Sequence, residues 1–173
     1  NITSDLINWI SDTAKKMNYR YPNAFMSSKL GIGINHKQYG VTSEGVNVYL
    51  RTVLEYLGFI DPETGKQKEF SVKMTGGPDG DVAGNLIKIF HREYRGKIKV
   101  TAIVDATGAA YDPDGLELDE LFRLANESLG IRFFDQTKLK SKKAKFVIAD
   151  TEKGIKFRDT LINRVSCDIF VPA

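Results

Sequence analysis

Apolar positions along the 173 residues change their period as the chain proceeds. From Thr3 to Met17 they recur at helical spacing, with Ile7, Ile10, Ala14 and Met17 on one side, and Thr3, Ser4 and Asp5 suit a helix N-terminus. The stretch "NYRYPNAFMSSKLGIGINHKQYG" loses that period and carries Pro22, Gly31, Gly33 and Gly40, so it reads as a long loop. A second helix starts at "TSEG" and carries Val46, Tyr49, Val53, Leu54 and Leu57 to Gly58, a suitable stop. After a turn at "DPETGK", short apolar runs alternate with helical ones. The order is strand "EFSVKM", helix Val82 to Tyr94 with Leu86, Ile89 and Phe90 inward, strand "KIKVTAIVD", helix "DPDGLELDELFRLANESLG", strand "KFVIAD", short helix "FRDTLINRV" and strand "CDIFVPA". β-branched residues fill "KIKVTAIVD" almost throughout, as in a strand buried on both faces. Asp114 and Glu117 resemble a capping box, with Gly130 at that helix's end. This alternation predicts an α/β fold, a doubly wound, mostly parallel sheet with helices on both faces. Residues 1–60 form a helical lead-in and junction segment, and 61–173 the sheet core.

Such a sheet binds ligands at the carboxyl ends of its strands, where strand order reverses. The first strand-to-helix turn here is "TGGPDGDVAGN", with Gly76, Gly77, Gly80 and Gly84 close together. Glycine at such a turn lets the backbone bend sharply and approach a phosphate, while the helix N-terminus offers unpaired N–H groups and partial positive charge. The match to G-x-G-x-x-G/A is loose. With Gly80 as the middle glycine and Ala83 as the last small residue, the first position is Pro78, and Gly76 and Gly77 lie just upstream. The second strand ends in Asp105, 25 residues after Gly80. An acid there hydrogen-bonds the hydroxyls of an adenosine ribose and repels a 2′-phosphate, which favours NAD over NADP. The competing reading makes Asp105 the cap of a turn in "DATGAAYDPDG", with no ligand. Loop, helix and acidic strand end together favour a nucleotide without fixing which one, because methyltransferases use the same features for S-adenosylmethionine. A non-enzymatic nucleotide-sensing or assembly module also fits. No Gly-Lys-Ser/Thr follows Gly80, which argues against a Walker-type site.

Composition narrows the picture modestly. The apolar fraction of 42% and charged fraction of 27% are those of an ordinary globular protein, and no apolar run approaches a membrane span. A net charge of +3 does not imply nucleic acid, and "KLKSKKAK" lacks aromatic residues for stacking bases, so it reads as a solvated loop. One cysteine, Cys167, allows no internal disulfide and reads as a core thiol in a reducing compartment, the cytoplasm by default. His36 and His91, the two histidines, are far apart and support no metal site. His91 reads as a surface residue, whereas His36, in the glycine-bearing loop, is the better candidate for a polar role. The chain begins at Asn1 and stops on a strand-like run, so the expectation is a piece of a longer protein, with its sheet core truncated at the C-terminus.

The segments "SSKLGIGINHKQYGVTSEGV", "VKMTGGPDGDVAGN", "AIVDATGAAYDPDGLELDEL" and "CDIFVPA" together resemble the cofactor-binding domain of the glutamate dehydrogenases, within the Glu/Leu/Phe/Val dehydrogenase family. The likeness is greatest to the large, NAD-specific bacterial type and covers nearly the whole chain in consistent order. It implies a Rossmann-type fold and NAD as cofactor. "VTSEGV" stands where smaller relatives have Ala-Thr-Gly-x-Gly-Val, which implies that Thr42 lies near the nicotinamide amide. "GDVA", Gly80 to Ala83, matches the family's Gly-Asn-Val-Gly, so the backbone of Gly80, Asp81 and Val82 would meet the pyrophosphate together with Gly76 and Gly77. Asp81 replaces the usual Asn, and Ala83 the last Gly. Asp105 matches the acid on the adenosine ribose, and Pro172 and Ala173 match the end of the strand beside the cofactor. The family's catalytic lysine and aspartate belong to a separate substrate domain, which no stretch here matches. No catalytic residue is therefore assigned, and the chain alone is expected to be inactive. The resemblance further implies L-glutamate and 2-oxoglutarate as ligands of the full enzyme, a homo-oligomer, and no nucleic-acid or membrane partner.

Overall fold

The computed structural model describes residues 4–22 and 39–173. The chain forms two compact units, residues 1–42 and 43–173. In the first, helix α1 (Ser4–Lys16) has Asp5 in its first turn and Lys15 and Lys16 in its last, each complementing the helix dipole. Asn18, at φ 56°, ends it in the left-handed conformation, and the N–H of Tyr19 donates to Ala14 O. Most of the long glycine-bearing loop, His36 included, lies outside the described residues. Helix α2 (Val41–Tyr56) contributes Ser43 onward to the second unit.

The second unit is built on five strands: β1 (Phe70–Thr75), β2 (Ile98–Asp105), β3 (Gly108–Tyr111), β4 (Lys145–Ile148) and β5 (Ile169–Pro172). Their order is β4-β3-β2-β1-β5. β1 lies between β2 and β5 and runs parallel to both, with Thr75 level with Val104 on one side and Pro172 on the other. The chain leaves β1 for β2 on one side and returns from β4 to β5 on the other, so the order reverses beside β1. Alternation along the strands sends side chains into two cores. On one face Phe70, Val72, Met74, Val100 and Ile103 pack with helix α3 (Asp81–Glu93) and helix α4 (Leu118–Glu127). On the other, Ala102, Val104 and Ala109 meet Leu161, Ile162 and Val165, at and just beyond the end of helix α5 (Glu152–Arg164). Helices thus cover both faces of a mixed, mostly parallel sheet, as the alternation predicts. Leu86, Ile87 and Phe90 of α3 are fully buried, each burial stabilising by about 1.5–3 kcal/mol.

Several local expectations change. The segment "GAAY", which the pattern places in a turn, forms β3, a short antiparallel strand between β2 and β4, as Asp105 and Gly108 close a tight turn. "GAAY" carries no alternation, and its backbone pairing follows from the turn. The helix read over residues 112–130 starts only at Leu118. Asp112 is buried and accepts the N–H groups of Asp114, Lys140 and Ser141, so "DPDG" is a polar turn ending at Gly115 (φ +90°). The capping box from Asp114 to Glu117 does not form, since Glu117 is itself the N-cap and makes no side-chain cap. α5 starts earlier than read because Thr151 caps it, its hydroxyl accepting from Gly154 N at 3.1 Å. His91 is only partly at the surface, its side chain 20% exposed. Its ring stacks on Phe122 at 4.1 Å, and Nε2 lies 2.8 Å from Asp119 Oδ1, joining α3 to α4. Cys167 is half-buried rather than a core thiol. In the basic run, Lys138 pairs with Glu120 and Lys140 with Glu117.

Candidate functional site

At the carboxyl end of β1 the chain turns on Gly76, whose φ of +86° is a conformation L side chains rarely adopt. Its N–H donates to Val104 O at 2.9 Å, keeping the turn on β2, and a Cβ there would come 2.9 Å from Ala173 O. Gly77 has no room for a side chain either, since a Cβ would collide with Asp105 Oδ2 and Asp79 Oδ1. Gly80 donates to Gly77 O at 2.9 Å and is the N-cap of α3, with no side chain to cap it. The N–H groups of Asp81, Val82 and Ala83 point out of the helix start without an intrahelical acceptor. A Cβ on Gly84 would collide with Pro78 O. Glycine content here is thus required by the loop's close packing on itself, and no side chain of the N-cap residue hydrogen-bonds to the helix start.

Asp105 holds the neighbouring turn. Its Oδ1 accepts from Thr107 N (2.7 Å), Thr107 Oγ1 (2.7 Å) and Gly108 N (3.0 Å). Oδ2 accepts from Ile131 N at 2.7 Å and lies over Gly77, with a lone pair to spare. The turn-capping and ligand-binding readings of Asp105 are therefore compatible, because the first orients the carboxylate for the second. Thr75, Gly76, Gly77, Asp79, Asp105 and Arg158 are among the residues that line a cleft of about 510 Å³.

The structure brings Gly76, Gly77, Gly80, Val82, Asp105 and Ala173 to this one end of the sheet. Ala173 donates its N–H to Thr75 Oγ1 at 3.1 Å, beside the start of the loop. Asp81 accepts from Asn85 Nδ2 along the helix at 3.4 Å, and it is Asp79, not Asp81, that lines the cleft. The Asp81 side chain is thus turned along its own helix. Val82 O accepts from Ser43 Oγ at 2.8 Å, so α2 anchors the first turn of α3. Thr42 occupies the first turn of α2 and belongs to the first unit. Two contributors escape the sequence reading. Thr107 looks like an ordinary turn residue, yet its hydroxyl and N–H both orient Asp105. Arg158 lies on a helix 53 residues beyond Asp105, with no local signal of where it reaches.

Chemically, an uncapped helix N-terminus next to an oriented carboxylate suits a ligand with an anionic ester at one point and hydroxyls at the next. A dinucleotide fits that description. Among the described residues no three His, Cys, Asp or Glu side chains gather as metal ligands, and no helix is long and apolar enough to cross a membrane.

The model of the glutamate/leucine/phenylalanine/valine dehydrogenase family matches residues 33–173. A probable NAD-specific glutamate dehydrogenase of Schizosaccharomyces pombe is 34% identical over an alignment of 183 positions, gaps included, which covers 98% of this chain and 16% of that protein. Glutamate dehydrogenase 2 of Dictyostelium discoideum is 34% identical over 184 positions, with the same coverage. The NAD-specific glutamate dehydrogenase of Neurospora crassa is 33% identical over 185, again with 98% and 16% covered. The chain thus spans 16% of the length of these relatives.

Proposed function

The chain belongs to the glutamate/leucine/phenylalanine/valine dehydrogenase family, and on that premise we propose that it is the NAD-binding domain of a glutamate dehydrogenase. The observation that carries this reading is the meeting of three features at the point where strand order reverses: the Gly76–Gly80 turn, the uncapped start of α3, and Asp105 with a free lone pair over Gly77. The relatives named as NAD-specific support the choice of cofactor.

In this reading the N–H groups of Asp81 and Val82 take the pyrophosphate, and Asp105 Oδ2 accepts a hydroxyl of the adenosine ribose. Gly76 and Gly77 keep the loop low enough for that approach. Thr42 binds near the nicotinamide amide, and Ala173 borders the cofactor at the end of β5. The cofactor supplies the hydride acceptor. The full enzyme would convert L-glutamate, NAD and water to 2-oxoglutarate, ammonia and NADH, with proton transfers managed by a substrate domain that no stretch of this chain resembles. It would work in the cytoplasm as a homo-oligomer. Calorimetric titration of the chain with NAD, NADP and S-adenosylmethionine tests the assignment. NAD should bind tightest; preference for NADP would overturn the role of Asp105, and preference for S-adenosylmethionine would overturn the dehydrogenase reading. The chain by itself should not turn over glutamate, and measurable NADH production by it would refute the division of labour.

A further inference from the structure

The charge of the cleft is unbalanced around the ligand it fits. A dinucleotide carries two negative charges on its pyrophosphate. The cleft lining contributes the carboxylates of Asp79 and Asp105, and Asp81 stands in the first turn of α3. Against these, the helix N-terminus supplies only roughly half a positive charge. Among the described residues one side-chain cation lines the cleft, Arg158.

Arg158 projects from the second turn of α5 to the carboxyl end of β2, its side chain only 21% exposed. Nη1 donates to Ala106 O at 3.1 Å, which holds the guanidinium beside the residue that follows Asp105. Nε and Nη2 both engage a single oxygen, Asp159 Oδ1, at 2.9 and 2.8 Å. Asp159 is the next residue in sequence and is 57% exposed, so this pair is solvent-screened and easily shared. Of the five N–H donors a guanidinium carries, these contacts use three and leave one on each terminal nitrogen. A cation pinned by a backbone carbonyl at the rim of the cleft, with donors to spare, matches the needs of a phosphate oxygen.

We propose that Arg158 is a cofactor-binding residue that donates charge-assisted hydrogen bonds to a phosphate of the adenosine diphosphate moiety. This rests on the dinucleotide reading of the cleft. It also accounts for an acidic glycine loop in a phosphate site, because the compensating charge comes from α5, on the opposite face of the sheet from α3, and not from the loop.

The test uses the full chain with two probes, ADP-ribose and adenosine, titrated by calorimetry at low and high salt. Arg158→Gln should weaken ADP-ribose at least tenfold, leave adenosine within twofold, and flatten the salt dependence of ADP-ribose binding. Arg158→Lys should recover part of the loss, which a purely structural tie to Ala106 would not require. Equal weakening of both probes, or no change in either, would overturn the assignment. If Arg158→Gln unfolds the chain, the Arg158→Lys variant decides: tight ADP-ribose binding with an unchanged salt slope supports the charge role, and a loss shared by adenosine overturns it. Failure of the unsubstituted chain to bind ADP-ribose or NAD would instead defeat the cofactor reading itself, and this proposal with it.

Discussion

Glu120 on α4 and Asp105 at the end of β2 both gather donors from distant loops, but they are wired differently. Glu120 is 1% exposed and saturated. Its Oε1 accepts from Arg123 Nη2 (2.6 Å) and Asp135 N (3.1 Å), and its Oε2 from Arg123 Nε (3.0 Å) and Lys138 Nζ (3.0 Å). Asp105 pairs with no cation among the described residues. Backbone N–H groups and one hydroxyl hold it, three of the four donors share Oδ1, and Oδ2 lies over Gly77 beside open space. A buried carboxylate whose lone pairs are all taken by its own chain is scaffold. One held firmly by neutral donors, with an acceptor site left at a cleft, is equipped for a ligand. Number of hydrogen bonds does not separate the two; the distribution over the oxygens does.

The largest effect should come from breaking the saturated hub. Glu120→Ala leaves the Asp135 N–H without its acceptor and turns Arg123 and Lys138, each about 40% exposed, back to water, so the cost is about 2–3 kcal/mol. Denaturant melts should show it, and a loss below about 1 kcal/mol would remove the distinction between scaffold and site. Next comes acid sensitivity. Hydrogen bonds from Arg123 foremost hold the Glu120 carboxyl down at about 2, against an ordinary value of 4.5. Because the folded value is the lower one, its contribution is fully present above about pH 4.5 and disappears as pH falls toward 2. That contribution is on the order of 2 kcal/mol. Glu120→Gln should flatten the acid limb of stability between those values; an unchanged limb would assign acid lability elsewhere.

Asp105→Asn should cost less stability, about 1–2 kcal/mol, because the amide oxygen can still hold Thr107 and Gly108 while its NH2 confronts the Ile131 N–H. Its effect on NAD affinity should be proportionally greater than that of any Glu120 variant that folds. If both variants weaken NAD equally, the cleft is not special. The smallest effect belongs to the opposite end of the sheet. There Lys99 and Glu69 pair at 2.6 Å on the surface, which lowers the Glu69 carboxyl and raises the Lys99 ammonium from their ordinary values. Lys99→Met should leave both Tm and NAD affinity within experimental error, since exposed ion pairs are largely screened.

Much of this was legible along the chain. The periods of 2 and 3.6 locate β1, β2, β5 and α3, and they imply a sheet covered on both faces. Glycine clustering marks the turn at Gly76–Gly80, and an acid at the end of the next apolar strand marks Asp105. Less legible were elements whose cause is non-local. β3 exists because Asp105 closes the turn that starts it. The late start of α4 follows from Asp112, whose partners Lys140 and Ser141 lie 28 and 29 residues away. His91 has a polar side chain on a helix that looks surface-facing until Phe122 is packed against it.

Sequence alone determined most of the strands and helices, where the chain must turn on glycine, and that an acid would end β2. These are properties of single residues and their near neighbours, set by backbone sterics and by which side chains water excludes. Tertiary structure alone decided that Asp105 has a lone pair left, that Asp81 turns along its helix while Asp79 faces the cleft, and that Arg158 stands at the rim. Each of those depends on donors and acceptors brought together from distant positions. Where the partners of a polar group lie far apart in the chain, no periodicity records their meeting.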